Sequence, residues 1–314
     1  MSESFDVEAF IQKQREEIAQ EVGSAKALCA VSGGVDSTAL AAMSAKVLGD
    51  RLFVVFIDDG LMREGEGEFV KQVLKPYTSN VRIMQVADEF FEALKGKVDP
   101  EEKRKAFRHT FYSVLGRAVR ESGATVMMQG TIKADIDETK KGIKTQHNVL
   151  EQIGIDPAEQ YGYKIVEPLR ELYKPQVRLV AKAVGLPTSV SERMPFPGPG
   201  LATRVLGEVT PDRVETVRKA HVFIEKALEP LNPFQAFAVL LTDKATGMRD
   251  GAREFGEILV IRSVQSTDAL TATPTQVPWE TLVTLQDTLT KEVPGVVKVL
   301  LDITPKPPST IEYI

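Results

Sequence analysis

The chain has 314 residues, 43% of them hydrophobic and 26% charged, which is ordinary for a soluble globular protein and long enough for two domains. Its net charge of −5 argues against a nucleic-acid-binding surface but leaves room for a local basic pocket that takes one phosphorylated substrate. Its single cysteine, Cys29, excludes an internal disulfide, and this suits a reducing, cytoplasmic location.

The first half of the chain alternates helix-like and strand-like segments. Helices are predicted over 8–22, 37–48, 66–75 and 100–122, and buried strands over 27–31, 52–57, 81–86 and 126–129. Such alternation predicts an α/β fold with a parallel sheet. Ligands of these sheets bind beyond the carboxyl ends of the strands, so we expect the loops 32–37, 58–61 and 130–135 to face one cleft.

The pattern changes in the second half. Residues 136–163 are polar and weakly periodic, and we expect a mobile lid there. Four prolines within 187–199 mark a boundary. Beyond it, predicted helices (211–229, 278–292) mix with apolar or strand-like segments (236–242, 257–264, 296–303), which indicates a smaller α+β domain. We therefore expect domains over 1–188 and 189–314. The longest apolar run, 52–57, is too short to cross a bilayer.

The strongest local signal is Ser-Gly-Gly-Val-Asp-Ser at 32–37, between a predicted strand and a predicted helix. Two glycines allow a sharp turn and a close approach to a ligand, and the helix N-terminus offers free N–H groups that bind anions. Neither a Walker A loop nor a dinucleotide-binding motif is present. Asp36 is unexpected in an anion site unless a divalent cation shares it, so it is a candidate Mg²⁺ ligand.

This loop resembles that of the N-type ATP pyrophosphatases, whose fold is adenine nucleotide alpha hydrolase-like and which cleave ATP between its α- and β-phosphates. The resemblance implies ATP and Mg²⁺ as cofactors and catalytic roles for Asp36, Ser37 and Lys144, the last in the expected lid. The nucleotide contacts that it implies are Ser32, Gly33, Gly34, Val35, Asp36, Ser37, Thr38, Asp58, Gly130 and Thr131.

Further segments resemble GMP synthetases, in the same order along the chain. They are FVVFIDDGLMR (53–63), PEEKRKAFRHTF (100–111), QGTIKADIDE (129–138), EPLRELYK (167–174), PFPGPGLATRVLG (195–207) and KPPSTIEY (306–313). The lid differs from that family, because Thr145 and Gln146 stand where it usually has Ser and His.

The resemblance implies XMP as the substrate, and basic side chains suit its phosphate. Candidate XMP contacts are Arg104, Arg204, Gln235, Lys306, Thr310, Ile311 and Glu312. The competing interpretation of Arg104 is a solvated helix face, because it stands in a run of charges, and that of Lys306 is a loose terminus.

The resemblance also implies the reaction and its partners. The XMP 2-oxygen attacks the α-phosphate of ATP, and ammonia then displaces AMP to give GMP. Single-chain members carry a glutaminase domain with a nucleophilic cysteine before the phosphate loop. Here about 25 residues precede that loop and Cys29 lies in a predicted strand, so we expect a separate glutaminase subunit. A homodimer through the C-terminal domain is expected as well.

Three alternatives stay open at this point. A tRNA thiolation enzyme shares the loop but needs basic surface and usually catalytic cysteines. NAD synthetase shares the loop but lacks the segments at 195–207 and 306–313. A non-catalytic nucleotide sensor would keep the loop and tolerate loss of Asp36, Lys306 or Glu312, all of which are present.

Overall fold

The computed structural model describes residues 5–140, 163–267 and 269–314. The chain divides into two compact units, each drawn from separate stretches of sequence. Unit 1 comprises Met1–Asp58, Gly65–Val86 and Phe111–Arg193, and unit 2 comprises Asp59–Glu64, Ala87–Thr110 and Met194–Ile314. The predicted division at residue 188 stays a prediction. No helix in the described stretches is both long and apolar enough to cross a membrane.

The helices of the described stretches are α1 (Val7–Val22), α2 (Val35–Leu48), α3 (Glu66–Leu74), α4 (Ala87–Leu94), α5 (Pro100–Ser122), α6 (Lys133–Lys140), α7 (Lys174–Ala183), α8 (Thr188–Ser191), α9 (Pro211–Leu228) and α10 (Trp279–Glu292). The strands are β1 (Ala27–Val31), β2 (Leu52–Asp58), β3 (Val81–Gln85), β4 (Val126–Met128), β5 (Lys164–Val166), β6 (Gln235–Arg249), β7 (Ala252–Gln265), β8 (Thr273–Pro274) and β9 (Val296–Asp302).

Unit 1 contains the predicted parallel sheet, with strand order β3-β2-β1-β4-β5. Strand β1 is central, and Ala27 pairs with both Leu52 and Val126. Its residues are apolar and mostly buried because helices cover a parallel sheet on both faces. The chain passes from β1 to β2 on one side, and β4 lies on the other. The strand order therefore reverses at β1, which makes its carboxyl end the expected ligand position.

Unit 2 is built around the antiparallel β6–β7 hairpin, in which Gln235 pairs with Val264. Strand β8 extends this sheet antiparallel to β7, while β9 pairs with β7 in parallel. Helix α9 packs against β6 and buries apolar residues at helical spacing, among them Val214, Val217 and Ile224. The predicted α/β layer followed by an α+β unit is confirmed.

Some elements differ from the sequence-based expectation. Helix α2 begins at Val35, two residues earlier than predicted, and α6 begins at Lys133, which shortens the predicted loop 130–135. Residues 136–140 of the predicted lid belong to α6, and 141–162 lie outside the described residues. Strand β5 was not predicted, because three residues that include a lysine carry too little periodicity.

Candidate active site

The phosphate loop leaves the carboxyl end of β1, where the strand order reverses. Gly33 has φ +79°, a left-handed conformation that glycine adopts without steric cost. Gly34 is the N-cap residue of α2 and has no side chain to cap it. The first N–H groups of this helix therefore have no side-chain acceptor from the cap residue, as an anion-binding helix N-terminus requires.

The Ser37 hydroxyl links the two ends of the phosphate loop through hydrogen bonds. Its hydroxyl accepts a hydrogen bond from the Ser32 amide at 3.2 Å and donates to the Gly34 carbonyl at 3.4 Å. The Ser32 hydroxyl lies 3.3 Å from the Ser37 hydroxyl oxygen and accepts a hydrogen bond from the Gly34 amide at 3.4 Å. Thr38 is buried one residue further on, and its hydroxyl has no partner among the described residues. These bonds fix the backbone of the loop through two small hydroxyl side chains.

Asp36 forms the charged part of the loop. Its Oδ2 accepts a hydrogen bond from the Lys174 ammonium at 2.6 Å, while its buried Oδ1 has no hydrogen-bond partner in the described part of the chain. A spare carboxylate oxygen is a ligand type that Mg²⁺ prefers. Within the described residues, no group of three or more acidic, His or Cys side chains is able to hold a metal. The spare Oδ1 of Asp36 therefore fits the chemistry of a single Mg²⁺ ligand.

Lys174 was not predicted as a site residue. It opens α7, and its Nζ lies at the phosphate loop, with the side chain about 40% exposed. The only signal in the sequence was its place in the segment EPLRELYK. Because it is 138 residues from Asp36 along the chain, no local pattern reveals the pairing.

The loop after β4 packs on the phosphate loop. A Cβ atom at Gly130 would lie 3.1 Å from both the Cα and the N of Ser37, so the two loops touch through their backbones. The next residue, Thr131, is buried and donates to Glu167 at 2.5 Å. Of the other predicted residues, Asp58 ends β2, and Lys144 lies outside the described residues.

Unit 2 brings three predicted XMP residues together. Arg204 is 1% exposed, and its guanidinium donates to both Glu312 oxygens, at 3.0 and 3.2 Å. Gln235 donates to the same carboxylate at 2.9 Å and to the Pro195 carbonyl at 3.0 Å. The guanidinium also lies over the ring of Phe237, 4.1 Å from its centroid. Arg204 is thus occupied inside the protein, and Glu312 is the member of the cluster that keeps partial exposure.

The C-terminal segment is held in place. Arg262, fully buried, donates to the carbonyls of Thr304 and Thr310 at 2.6 and 2.8 Å. Lys306 forms a backbone bridge with Ala272, and its ammonium donates to a carbonyl at 2.8 Å. Ile311 is buried with Val264 and Ala272, while Thr310 is exposed. Lys306 is therefore no loose tail, and the competing interpretation of it is wrong.

Arg104 pairs with Glu101 one turn away on α5 and is about 29% exposed. Its neighbour Lys103 is buried and donates to the Val205 carbonyl at 2.7 Å. Burial, with the nearby charge of Arg213, lowers the pKa of Lys103 to about 8. Lys103 thus anchors the first turns of α5, and Arg104 keeps partial exposure.

A buried histidine continues the Arg204 cluster. His221 Nδ1 lies 3.5 Å from an Arg204 nitrogen, and its Nε2 lies 3.1 Å from Glu225. An arginine only donates, so Nδ1 is the unprotonated nitrogen. Burial lowers the pKa of His221 to about 4. Burial alone would raise the pKa of Glu225, but the contact with His221 and the charge of Arg63 outweigh it and lower that pKa to about 2.

Cys29 is fully buried in β1, and burial raises the pKa of its thiol to about 12. A thiol that stays protonated is a poor nucleophile. The prediction that Cys29 is a small core residue is consistent with both observations.

Comparison with known proteins extends this picture. Residues 7–187 match the family described as "PP-loop domain", and residues 225–313 match "GMP synthase C terminal domain". A protein of Methanopyrus kandleri, named as one subunit of a glutamine-hydrolysing GMP synthase, is 48% identical, with 98% of this chain and 99% of that protein covered. Proteins of the same name from Archaeoglobus fulgidus and Methanoregula boonei are 46% and 47% identical, each over 98% of this chain.

The chain belongs to this family of GMP synthase subunits. The resemblance inferred from its motifs is confirmed, and so is the assignment of the phosphate loop to a PP-loop domain. The tRNA thiolation and NAD synthetase alternatives are thereby set aside. The nucleotide and XMP contacts of individual residues stay predictions.

Proposed function

We propose that the chain catalyses the ATP-dependent conversion of XMP to GMP, with ammonia as the nitrogen donor and AMP and pyrophosphate as the other products. The observation that carries this proposal is the near-full-length identity of 45–48% to proteins named as a GMP synthase subunit. The order of steps is adenylylation of the XMP 2-oxygen followed by displacement of AMP.

In unit 1, the phosphate loop binds the β- and γ-phosphates through its backbone N–H groups and the hydroxyl of Ser32. Asp36 Oδ1 would hold a Mg²⁺ ion, which neutralises charge on the departing pyrophosphate when it is bound. Lys174, 2.6 Å from Asp36, supplies a second positive charge at the same loop. Catalysis of this kind rests on positioning and charge neutralisation. It needs no protein nucleophile, in line with the raised thiol pKa of Cys29.

In unit 2, we propose that Glu312 and Gln235 orient the XMP base and that Lys306 and Arg104 neutralise its phosphate. Thr310, exposed two residues before Glu312, contributes to the same site, and Ile311, buried between the two, anchors this segment. Arg204 serves this site by holding the Glu312 carboxylate from behind, because both carboxylate oxygens accept its hydrogen bonds. A bidentate pair of this kind fixes the plane of a carboxylate.

We further propose a cytoplasmic enzyme with two protein partners. Its ammonia comes from a separate glutaminase, because the relatives are named as only one of the subunits of a glutamine-hydrolysing enzyme. A homodimer through unit 2 is supported by exposed apolar side chains on that unit, including Trp279 at 77% and Ile303 at 67%.

The test is product formation from XMP, ATP, Mg²⁺ and ammonium chloride by the purified chain, with AMP and GMP separated by chromatography. Asp36→Ala and Lys306→Ala should each abolish turnover. A chain that binds ATP but forms no GMP would be a nucleotide sensor instead. With glutamine in place of ammonium, we expect product only after the glutaminase is added. Glutamine hydrolysis by the chain alone would refute the separate glutaminase.

A further inference from the structure

A buried ion pair lies behind the phosphate loop in unit 1. Glu66, in the first turn of α3, has a side chain only 2% exposed. Both of its oxygens accept hydrogen bonds from the Arg193 guanidinium, at 2.5 and 2.8 Å. The guanidinium also lies 4.8 Å from the ring centroid of Phe69. A carboxylate buried this deeply is costly unless a cation pairs with it.

The carboxylate touches the turn of the loop itself. A Cβ atom at Gly33 would lie 2.0 Å from Glu66 Oε1 and 3.2 Å from a methyl group of Val70. Glu66 therefore occupies the space that any side chain at this position would take, against a backbone already at φ +79°. The turn that receives the phosphates thus has a negative charge directly behind it.

A negative charge in that place opposes the binding of a polyphosphate. The opposition is strong because the carboxylate is buried, where water screens it poorly. The Arg193 guanidinium cancels this charge, because it donates a direct hydrogen bond to each of the two Glu66 oxygens. The pair then supplies a rigid, neutral support for Gly33, whereas either partner alone would leave a charge behind the loop.

We propose that Arg193 is a positioning residue for the nucleotide: it neutralises Glu66, and through Glu66 it sets the shape and the electrostatic potential of the Gly33 turn. This inference rests on the proposed function only in naming ATP as the anion. It requires no contact between Arg193 and the nucleotide.

The proposal predicts a non-additive pair of substitutions. Arg193→Gln leaves the buried carboxylate uncompensated and should weaken binding of MgATP and of pyrophosphate by about tenfold or more. Glu66→Gln leaves the positive charge of Arg193, whose side chain is 23% exposed and therefore screened by water, and should change affinity by less than about threefold. The double variant should bind within about threefold of the wild type, because neither charge remains. Arg193→Lys keeps the positive charge but loses the paired hydrogen bonds of the guanidinium, and it should also bind within about threefold of the wild type.

Binding is measured by calorimetry with MgATP or pyrophosphate and no XMP, so its outcome is independent of GMP formation. A matched control is Arg82→Gln, which breaks an exposed pair with Glu121 in the same unit and should leave both affinities unchanged. In steady-state assays, Arg193→Gln should raise KM for ATP and leave KM for XMP unchanged. If it lowers only the thermal midpoint, or if the double variant binds as poorly as Arg193→Gln, the proposal is wrong. Equal loss in Arg193→Lys would also overturn it.

Discussion

Removal of Arg204 is the most informative perturbation of unit 2. The variant Arg204→Met keeps an unbranched apolar side chain in the buried position, but it takes away the guanidinium, which lies over the rings of Phe196 and Phe237. Glu312 then loses two hydrogen bonds and keeps the one from Gln235. We expect the variant to lose both stability and the fixed orientation of the Glu312 carboxylate.

The magnitude follows from burial. Breaking a buried ion pair by removing one partner costs about 3–5 kcal/mol. Glu312 is 23% exposed and can turn toward water, so the lower end, about 3 kcal/mol, is expected. Unit 2 has roughly 150 residues, and for that size 1 kcal/mol corresponds to about 2–4 °C in Tm. The predicted drop in the Tm of unit 2 is therefore about 6–12 °C.

The assay is thermal unfolding followed by calorimetry, with XMP binding measured on the same samples below the transition. The matched control is Arg249→Met, which breaks a pair with Glu254 at 2.7 Å whose side chains are 40% and 34% exposed, together with a 3.3 Å hydrogen bond to the Val296 carbonyl. It should cost no more than about 1 kcal/mol. If Arg204→Met unfolds within about 2 °C of Arg249→Met, the buried pair does not stabilise unit 2. If XMP affinity is also unchanged, Arg204 does not position Glu312.

Three other predictions concern the loop and the buried titrating groups. Gly130→Ala places a Cβ 3.1 Å from the Ser37 backbone, so KM for ATP should rise by about tenfold while KM for XMP stays constant. His221 and Glu225 both have lowered pKa values, so the unfolded state binds more protons than the folded state at acidic pH. Urea unfolding at a series of pH values should show stability falling from pH 6.5 to 4 through His221 and further toward pH 2 through Glu225. The fall between pH 6.5 and 4 should be missing in His221→Gln. The pKa of Lys103 is lowered to about 8, so stability should gain a rising component between pH 8 and about 10.5 that Lys103→Met lacks.

The sheet of unit 1 was predictable because its strands carry the signal in their own residues. Strand β1 is a run of five apolar residues that ends in Ser-Gly-Gly, and its predicted and observed bounds agree. A central parallel strand is buried on both faces and is a short apolar run, so its length distinguishes it from α2, most of whose residues are buried as well. The position of the phosphate loop then follows from the rule that loops at the carboxyl ends of such strands bind ligands.

Pairings over long sequence distances were not predictable. Lys174 reaches Asp36 across 138 residues, and Arg193 reaches Glu66 across 127. Each lies in a segment whose periodicity says nothing about a charged partner. Arg204 was also not predictable in full, because the sequence suggested only a basic side chain that would contact the XMP phosphate. Its full burial and its bond to Glu312 appear only once β6 and the C-terminal segment are folded together.

On the proposed function, these pairings explain how a chain with net charge −5 builds sites for anions. In unit 1, the carboxylates of Asp36 and Glu66 at the phosphate loop each bond to a cation. Neutralising each acid locally leaves the backbone N–H groups and the helix dipole to set the potential of the loop. The net charge of the chain then matters little for phosphate binding, whereas the loss of a single paired cation matters a great deal. Substitutions that remove the charge of Lys174 or Arg193 should therefore weaken nucleotide binding far more than substitutions of exposed lysines that change the net charge equally.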